Sequence, residues 1–123
     1  MHLRVLSGLH SVVRLEHDAD VPAWATGGFL SITRTAHELS IVCEEMQVPP
    51  DVRAVGTWRV IEVEGPLDFS LTGVLTSLAK PLADAGISIF ALSTFDTDYL
   101  LVREAQLSAA KRALTDAGHE FIV

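Results

Sequence analysis

Residues 69–102, FSLTGVLTSLAKPLADAGISIFALSTFDTDYLLV, run a helix pattern, a stop, an apolar strand, a polar turn and a second strand with almost nothing between them. Leu71, Leu75, Leu78 and Leu82, with Val74 and Ala79 beside them, recur at three- and four-residue steps and draw one apolar stripe suited to packing on a sheet. Asp68, Ser70 and Thr72 can each accept hydrogen bonds from the free N–H groups of a first turn, which predicts a helix start near Ser70 to Thr72. Pro81 removes one backbone donor from that pattern and predicts a kink or a late helical start, at a local cost of up to ~3 kcal/mol if nothing compensates. Gly86 predicts the stop, because a left-handed residue after a helix costs glycine no Cβ clash.

Ile87 to Ser93 and Tyr99 to Val102 are the two strands, and the Thr94-Phe95-Asp96-Thr97-Asp98 segment between them predicts an antiparallel hairpin whose Asp and Thr side chains cap its own turn. A second helix is expected from Glu104 or Ala105 to Ala117, with Leu107, Ala110, Ala113, Leu114 and Ala117 on its inner side. Gly118 stops it, and Phe121-Ile122-Val123 supplies a terminal strand. With Trp58 to Glu64 as the opening strand, the order is βαββαβ, an α+β, ferredoxin-like arrangement with both helices on one face of a four-stranded antiparallel sheet.

The first part of the chain is built differently. Leu3 to Ser7 and Ser11 to Glu16 read as short strands joined at Gly8-Leu9-His10, and a loop follows at Asp18, Asp20 and Pro22. Phe29 to Arg34 and Leu39 to Glu44 form a further strand pair around Thr35-Ala36-His37-Glu38. That pair echoes the later one, with Leu30-Ser31 laid over Leu92-Ser93. The expected organisation is therefore a degenerate N-terminal half at 1–57, its first helix shrunk to a turn, and a complete unit at 58–123, with Pro49-Pro50 stiffening the connection. A half of that size buries too little surface to be secure alone, so the halves are expected to share a sheet or swap strands.

Leu71-Thr72-Gly73-Val74-Leu75 at a helix start, then Ala85-Gly86-Ile87-Ser88-Ile89, then Ser93-Thr94-Phe95-Asp96-Thr97-Asp98-Tyr99-Leu100-Leu101-Val102, resemble an ACT domain. More narrowly, they resemble the small bacterial tandem-ACT proteins similar in sequence to the ACT domains of the eukaryotic cytosolic arginine sensor. The resemblance implies a non-catalytic regulatory role, with an amino acid or similar small metabolite bound between ACT units and the binding transmitted to a partner. It implies a ligand site at Thr72, Gly73 and Val74, whose helix-start N–H groups suit a carboxylate. Thr94, Phe95, Thr97 and Asp98 would line the same pocket, with Asp98 meeting an ammonium or a cationic side chain. Ser31 and Ile32 are the analogous wall from the N-terminal half. Homodimerisation is one way to complete such a site. The other reading the sequence leaves open is a ligand-free assembly or protein-interaction module, since sheet edges associate readily.

Other chemistries find little footing. Sixteen acidic against nine basic residues give a formal charge of −7, and the basic ones are dispersed, which argues against a nucleic-acid surface. No apolar run approaches a membrane span, no signal-peptide core opens the chain, and the single cysteine, Cys43, permits no internal disulfide, so a cytoplasmic protein is expected. Asp96-Thr97-Asp98 lacks the further ligands a metal cage needs, and the five histidines show neither an i, i+4 pair nor a cysteine companion. No phosphate loop or Gly-x-Ser-x-Gly occurs, and Cys43 lies in an apolar strand, so no cofactor and no catalytic residue is expected.

Overall fold

The computed structural model describes residues 1–68 and 70–122. Phe69 and Val123, placed above at the head of the helix segment and in the terminal strand, lie outside the described residues. The chain forms two compact units, one made of Met1–Ser7 together with the chain from Arg59 on, the other of Gly8–Trp58.

In the first unit the strands are β1 (His2–Val5), the second part of β5 (Ala54–Val63), β6 (Ile89–Ser93), β7 (Asp98–Arg103) and β8 (Glu120–Phe121), with helices α1 (Val74–Asp84) and α2 (Leu107–Asp116). From β5 to β8 the order is the expected βαββαβ, and a single 3-10 turn, Glu104–Gln106, leads into α2. The strands run β6-β7-β5-β1-β8. Residues 1–7, assigned to the N-terminal half on sequence, pair here instead. β1 lies antiparallel to β5, with Leu3 opposite Val63, and parallel to β8, with Leu3 opposite Phe121. It thus separates the first and last strands of the ferredoxin-like unit and makes the sheet five-stranded.

One face of that sheet carries the core: Leu3, Ile61, Val63, Leu100 and Val102 pack against Leu78 and Leu82 of α1 and Ala110 and Leu114 of α2. The buried row of α1 is Val74, Leu78 and Leu82, at steps of four, while Leu71 and Leu75 are exposed. The helix starts later than expected, with Asp68 and Ser70 forming a turn before it. Pro81 stands in its last turns without ending it. The carbonyl that Pro81 deprives of a donor is Ser77 O, four residues back, and His119 Nε2 lies 2.9 Å from it as the replacement donor. Both helices end alike. Ile87 N donates to Leu82 O and Gly86 N to Ala83 O, while His119 N donates to Leu114 O and Gly118 N to Thr115 O, each around a left-handed glycine.

The second unit contains β2 (His10–Leu15), β3 (Ser31–Arg34), β4 (Leu39–Glu44) and the first part of β5, in the order β3-β4-β2-β5. Its core is Val13, Leu39, Ile41 and Cys43, covered by Trp24, Ala25, Val48 and Val52 from irregular segments where the other unit has helices. Its hairpin turn matches that of the first unit: Thr35 N donates to Glu38 O as Thr94 N does to Thr97 O, both at 2.9 Å. A 3-10 turn, Glu45–Gln47, follows β4 as Glu104–Gln106 follows β7.

Candidate functional site

The turn between β6 and β7 is held from three sides. Within it, Thr94 N and Oγ1 both donate to Thr97 O, at 2.9 and 3.1 Å. Below it, the buried Thr97 Oγ1 donates to Val63 O at 2.6 Å, at the end of β5. Beside it, Leu67 N donates to Asp96 O at 2.6 Å, tying the turn to the segment that leads into α1. The register places Ser93 opposite Asp98, and Ser93 Oγ donates to Asp98 Oδ1 at 2.6 Å. A rigid turn is thereby clamped against the entrance of a helix.

Between them lies a cleft of about 200 Å³, with Leu67, Asp68, Leu71 and Val74 on one wall and Ser93 to Asp98 on the other. Its size suits a small metabolite rather than a large cofactor. Phe95, 79% exposed, stands at the tip of the turn, and Leu71 is 53% exposed. Three carboxylates, Asp68, Asp96 and Asp98, line the cleft, and among the described residues no Lys, Arg or His does. The backbone N–H of Ser70, then its hydroxyl, donates to Asp68 and holds that carboxyl below its usual range, so it is an anion at neutral pH. Val74 is the first residue of α1, which follows Gly73 at φ 76° and has no side chain capping its first turn. The cleft therefore offers carboxylates to a cation, helix-start N–H groups to an anion and aliphatic walls between them.

An ACT-domain family model matches residues 53–116, and a model of an N-terminal domain matches residues 8–51. The chain belongs to the ACT-domain family. Among solved structures, a crystal structure of an Agobacterium tumefaciens protein is 44% identical, covers 98% of this chain and 91% of its own, and superposes with a TM-score of 0.93. The regulatory subunit of aspartate kinase from Thermus flavus shares the fold at 11% identity, covering 94% of this chain and 95% of its own with a TM-score of 0.63. The cytosolic arginine sensor for mTORC1 subunit 1 of Bos taurus is 32% identical over 97 residues, which is 70% of this chain but 30% of that protein. The human sensor is 31% identical over 97 residues, again 70% of this chain and 30% of its own length, so this ACT protein spans under a third of these curated relatives.

Of the residues expected at the site of this ACT protein, Val74, Thr94, Phe95, Thr97 and Asp98 line the cleft. Thr72 and Gly73 sit in the loop between Leu71 and Val74 without lining it, and Gly73 acts through its left-handed backbone. The hydroxyl of Thr97 is used by Val63. Ser31 and Ile32 lie in β3 of the other unit, opposite Val42 and Ile41. The sequence alone marks Asp68 as a helix cap, Asp96 as a turn residue, Leu71 as part of the helix stripe and Ser93 as a strand end, and it singles out none of these, nor Leu67, as lining a site. Asp96 and Asp98 at one hairpin are the available signal, and Asp68, on a separate segment before α1, carries none. Among the described residues, no three His, Cys, Asp or Glu side chains form a group that would hold a metal.

The opposite face of the ACT sheet carries a polar network at the same end. Arg4 bridges Glu62 at 3.3 Å and Glu64 at 3.8 Å, and Tyr99 Oη donates to Glu62 Oε2 at 3.2 Å. Partial burial, and then the Glu62 charge, pushes the Tyr99 hydroxyl above its ordinary value of 10.0. Tyr99 is the one tyrosine in the chain, so ultraviolet titration reads it directly. The folded protein should ionise with a midpoint above that of the urea-unfolded chain, and Glu62→Gln should bring the two closer. By linkage, a raised folded-state value leaves stability intact below the unfolded value and erodes it as pH rises through the folded one, so denaturation should accelerate above about pH 10. Coincident folded and unfolded titrations would refute the assignment.

Proposed function

We propose that this protein is a non-catalytic regulator that binds an amino acid in the cleft between α1 and the β6–β7 turn and passes the event to a partner protein. The observation that carries the reading is charge: among the described residues, three aspartates and no basic side chain surround a cleft beside an uncapped helix start. An α-carboxylate would take the N–H groups of the helix start, and a cationic group would take the aspartates, each charge-assisted hydrogen bond contributing about 1.5–3 kcal/mol. A basic amino acid, arginine or lysine, fits both ends. The printed role of the arginine sensors supports the same class. The ligand acts as a regulator by favouring one arrangement of the protein over another, and a partner reads the difference.

Residues 8–58 are, on this reading, a second ACT-like half whose helices have shrunk to loops. Its strand order and its Thr35 to Glu38 turn support the relation. A cytoplasmic location fits the composition, and among the described residues no helix is long and apolar enough to cross a membrane.

Thermal unfolding against the twenty amino acids and common nucleotides tests the proposal. A basic amino acid at 100 times its dissociation constant should stabilise the protein by about 2.7 kcal/mol, and Asp98→Asn should remove most of the shift. Phe95 and Leu71, exposed on the cleft walls, favour a second reading, in which the site is a surface for association without a ligand. A flat panel at millimolar concentrations, together with concentration-dependent sedimentation lost in Phe95→Ser, would replace the first reading with the second.

A further inference from the structure

We propose that the Gly8–Trp58 unit carries a second small-molecule site, on the face of its sheet away from its core, for a neutral amino acid with a short aliphatic side chain. Val13, Leu39, Ile41 and Cys43 point into the core of this unit, so the alternate residues of β2 and β4 face the other way. The registers then lay out two rows. Arg14 lies opposite Ser40 of β4, and its backbone N–H donates to Arg53 O on the far side. Two residues along, Val12 lies opposite both Val42 and Val55. A cleft of about 190 Å³ opens over these rows, lined by Val12, Arg14, Glu38, Ser40, Arg53 and Val55 among others.

Its chemistry differs from that of the aspartate cleft. The Arg14 guanidinium is fixed, by Glu16 Oε1 at 3.3 Å and His37 O at 3.0 Å, which engages two of its five N–H donors. Arg53, just before the neighbouring strand β5, has no side-chain hydrogen bond or ion pair among the described residues, and neither has the Glu38 carboxylate in the same cleft. Two guanidiniums brought together invite a carboxylate, which each can engage through charge-assisted bonds. A plain anion would leave Glu38 facing unrelieved negative charge, whereas a zwitterion brings an ammonium for it. Val12 and the half-exposed Val55 then offer an aliphatic side chain a surface out of water. The small volume excludes a large ligand.

In the other unit, the strand that takes the place of β2 is β5, and the row beside its hairpin is Tyr99, Glu62 and Arg4. A carboxylate therefore stands where this unit has Arg14. The same position in two related sheets carries opposite charge, which makes the basic cleft particular to this unit rather than a property of the fold.

The test is a ¹⁵N–¹H correlation titration of the whole protein with L-valine, 3-methyl-2-oxobutanoate, which keeps the carboxylate, and isobutylamine, which keeps the ammonium. L-valine should move the amide signals of Val12, Arg14, Ser40 and Val55 saturably, and both analogues should bind at least about tenfold more weakly. Arg53→Gln should weaken L-valine about tenfold or more, with the unliganded unfolding midpoint unchanged because that side chain is exposed. Glu38→Gln should weaken L-valine and strengthen the oxo acid, because it removes the negative charge that faces a plain anion. Absent saturation, equal affinity for either analogue, indifference to Arg53→Gln, or shifts confined to Ser93 to Asp98 would each overturn the proposal. The first three outcomes leave the reading of the aspartate cleft untouched, whereas shifts confined to Ser93 to Asp98 would show that cleft taking a neutral amino acid and would count against its basic ligand as well.

Discussion

Replacing Leu82 with alanine is expected to destabilise the protein by about 2–5 kcal/mol and to lower its unfolding midpoint by on the order of 10 °C. Leu82 has no exposed surface and lies one turn beyond Leu78, on the row of α1 that meets Ile61, Val63, Leu100 and Val102. The upper part of that range applies where the surroundings cannot close on the cavity, and three features resist closure. The backbone at Leu82 is pinned, because its carbonyl accepts from Ile87 N at 2.9 Å in the helix stop. Pro81 precedes it with φ fixed. The opposing strands are central members of the sheet, paired on both sides. Leu75→Ala, a chemically identical change at an exposed position of the same helix, should cost well under 1 kcal/mol. Urea denaturation of the two variants beside the parent decides it, and similar losses at both positions would mean that the buried row of α1 is misassigned.

That contrast also marks what the sequence could say. The stripe Leu71, Leu75, Leu78, Leu82 and the row Val74, Leu78, Leu82 share two members, and both satisfy a helical period. The left-handed Gly73 decides between them, since it fixes the start of α1 at Val74 and leaves Leu71 outside the helix. Glycine stops, the hairpin and the βαββαβ order were legible because each depends on a residue type with a local conformational reason. The place of β1 was not, since pairing parallel to β8 is a long-range event with no local signature. The Leu30-Ser31 match lays the internal echo three residues out. Matching the turns, Thr35 to Glu38 on Thr94 to Thr97, sets Arg34 where the other hairpin has Ser93, whereas the Leu-Ser match had chosen Ser31. Ser31 and Ile32 owed their candidacy to that slip. The residues of the aspartate cleft were legible wherever one hairpin holds them, and Asp68 was missed because its turn lies before the helix it seemed to cap.

Thr97→Val carries the second large effect, because it joins the fold to the site. The substitution keeps the shape of the side chain and removes one hydroxyl, which lies in a buried position and donates to Val63 O at 2.6 Å. The carbonyl left behind has lost a donor away from water, at a cost of about 1–3 kcal/mol. The loss should extend to binding although the hydroxyl is not free to touch a ligand. Thr97 is the foot of the turn that carries Phe95, Asp96 and Asp98, and loosening it spreads carboxylates that must converge on one cation. A basic amino acid should therefore bind about two- to tenfold more weakly, with its preference over neutral amino acids kept, since no charged group of the cleft has changed. Thr97→Ser separates the causes: it restores the donor, so it should recover most of the affinity while losing only a methyl's worth of packing. A nearby constraint gives the same result by another route. A Cβ at Gly65 would stand 3.0 Å from both Asp96 O and Thr97 Cβ, so Gly65→Ala should push the turn outward and weaken binding as Thr97→Val does. If Thr97→Val bound ligand like the parent while unfolding more easily, the turn would be a structural clamp alone, and the cleft would owe its convergence to the Ser93 and Asp98 pair.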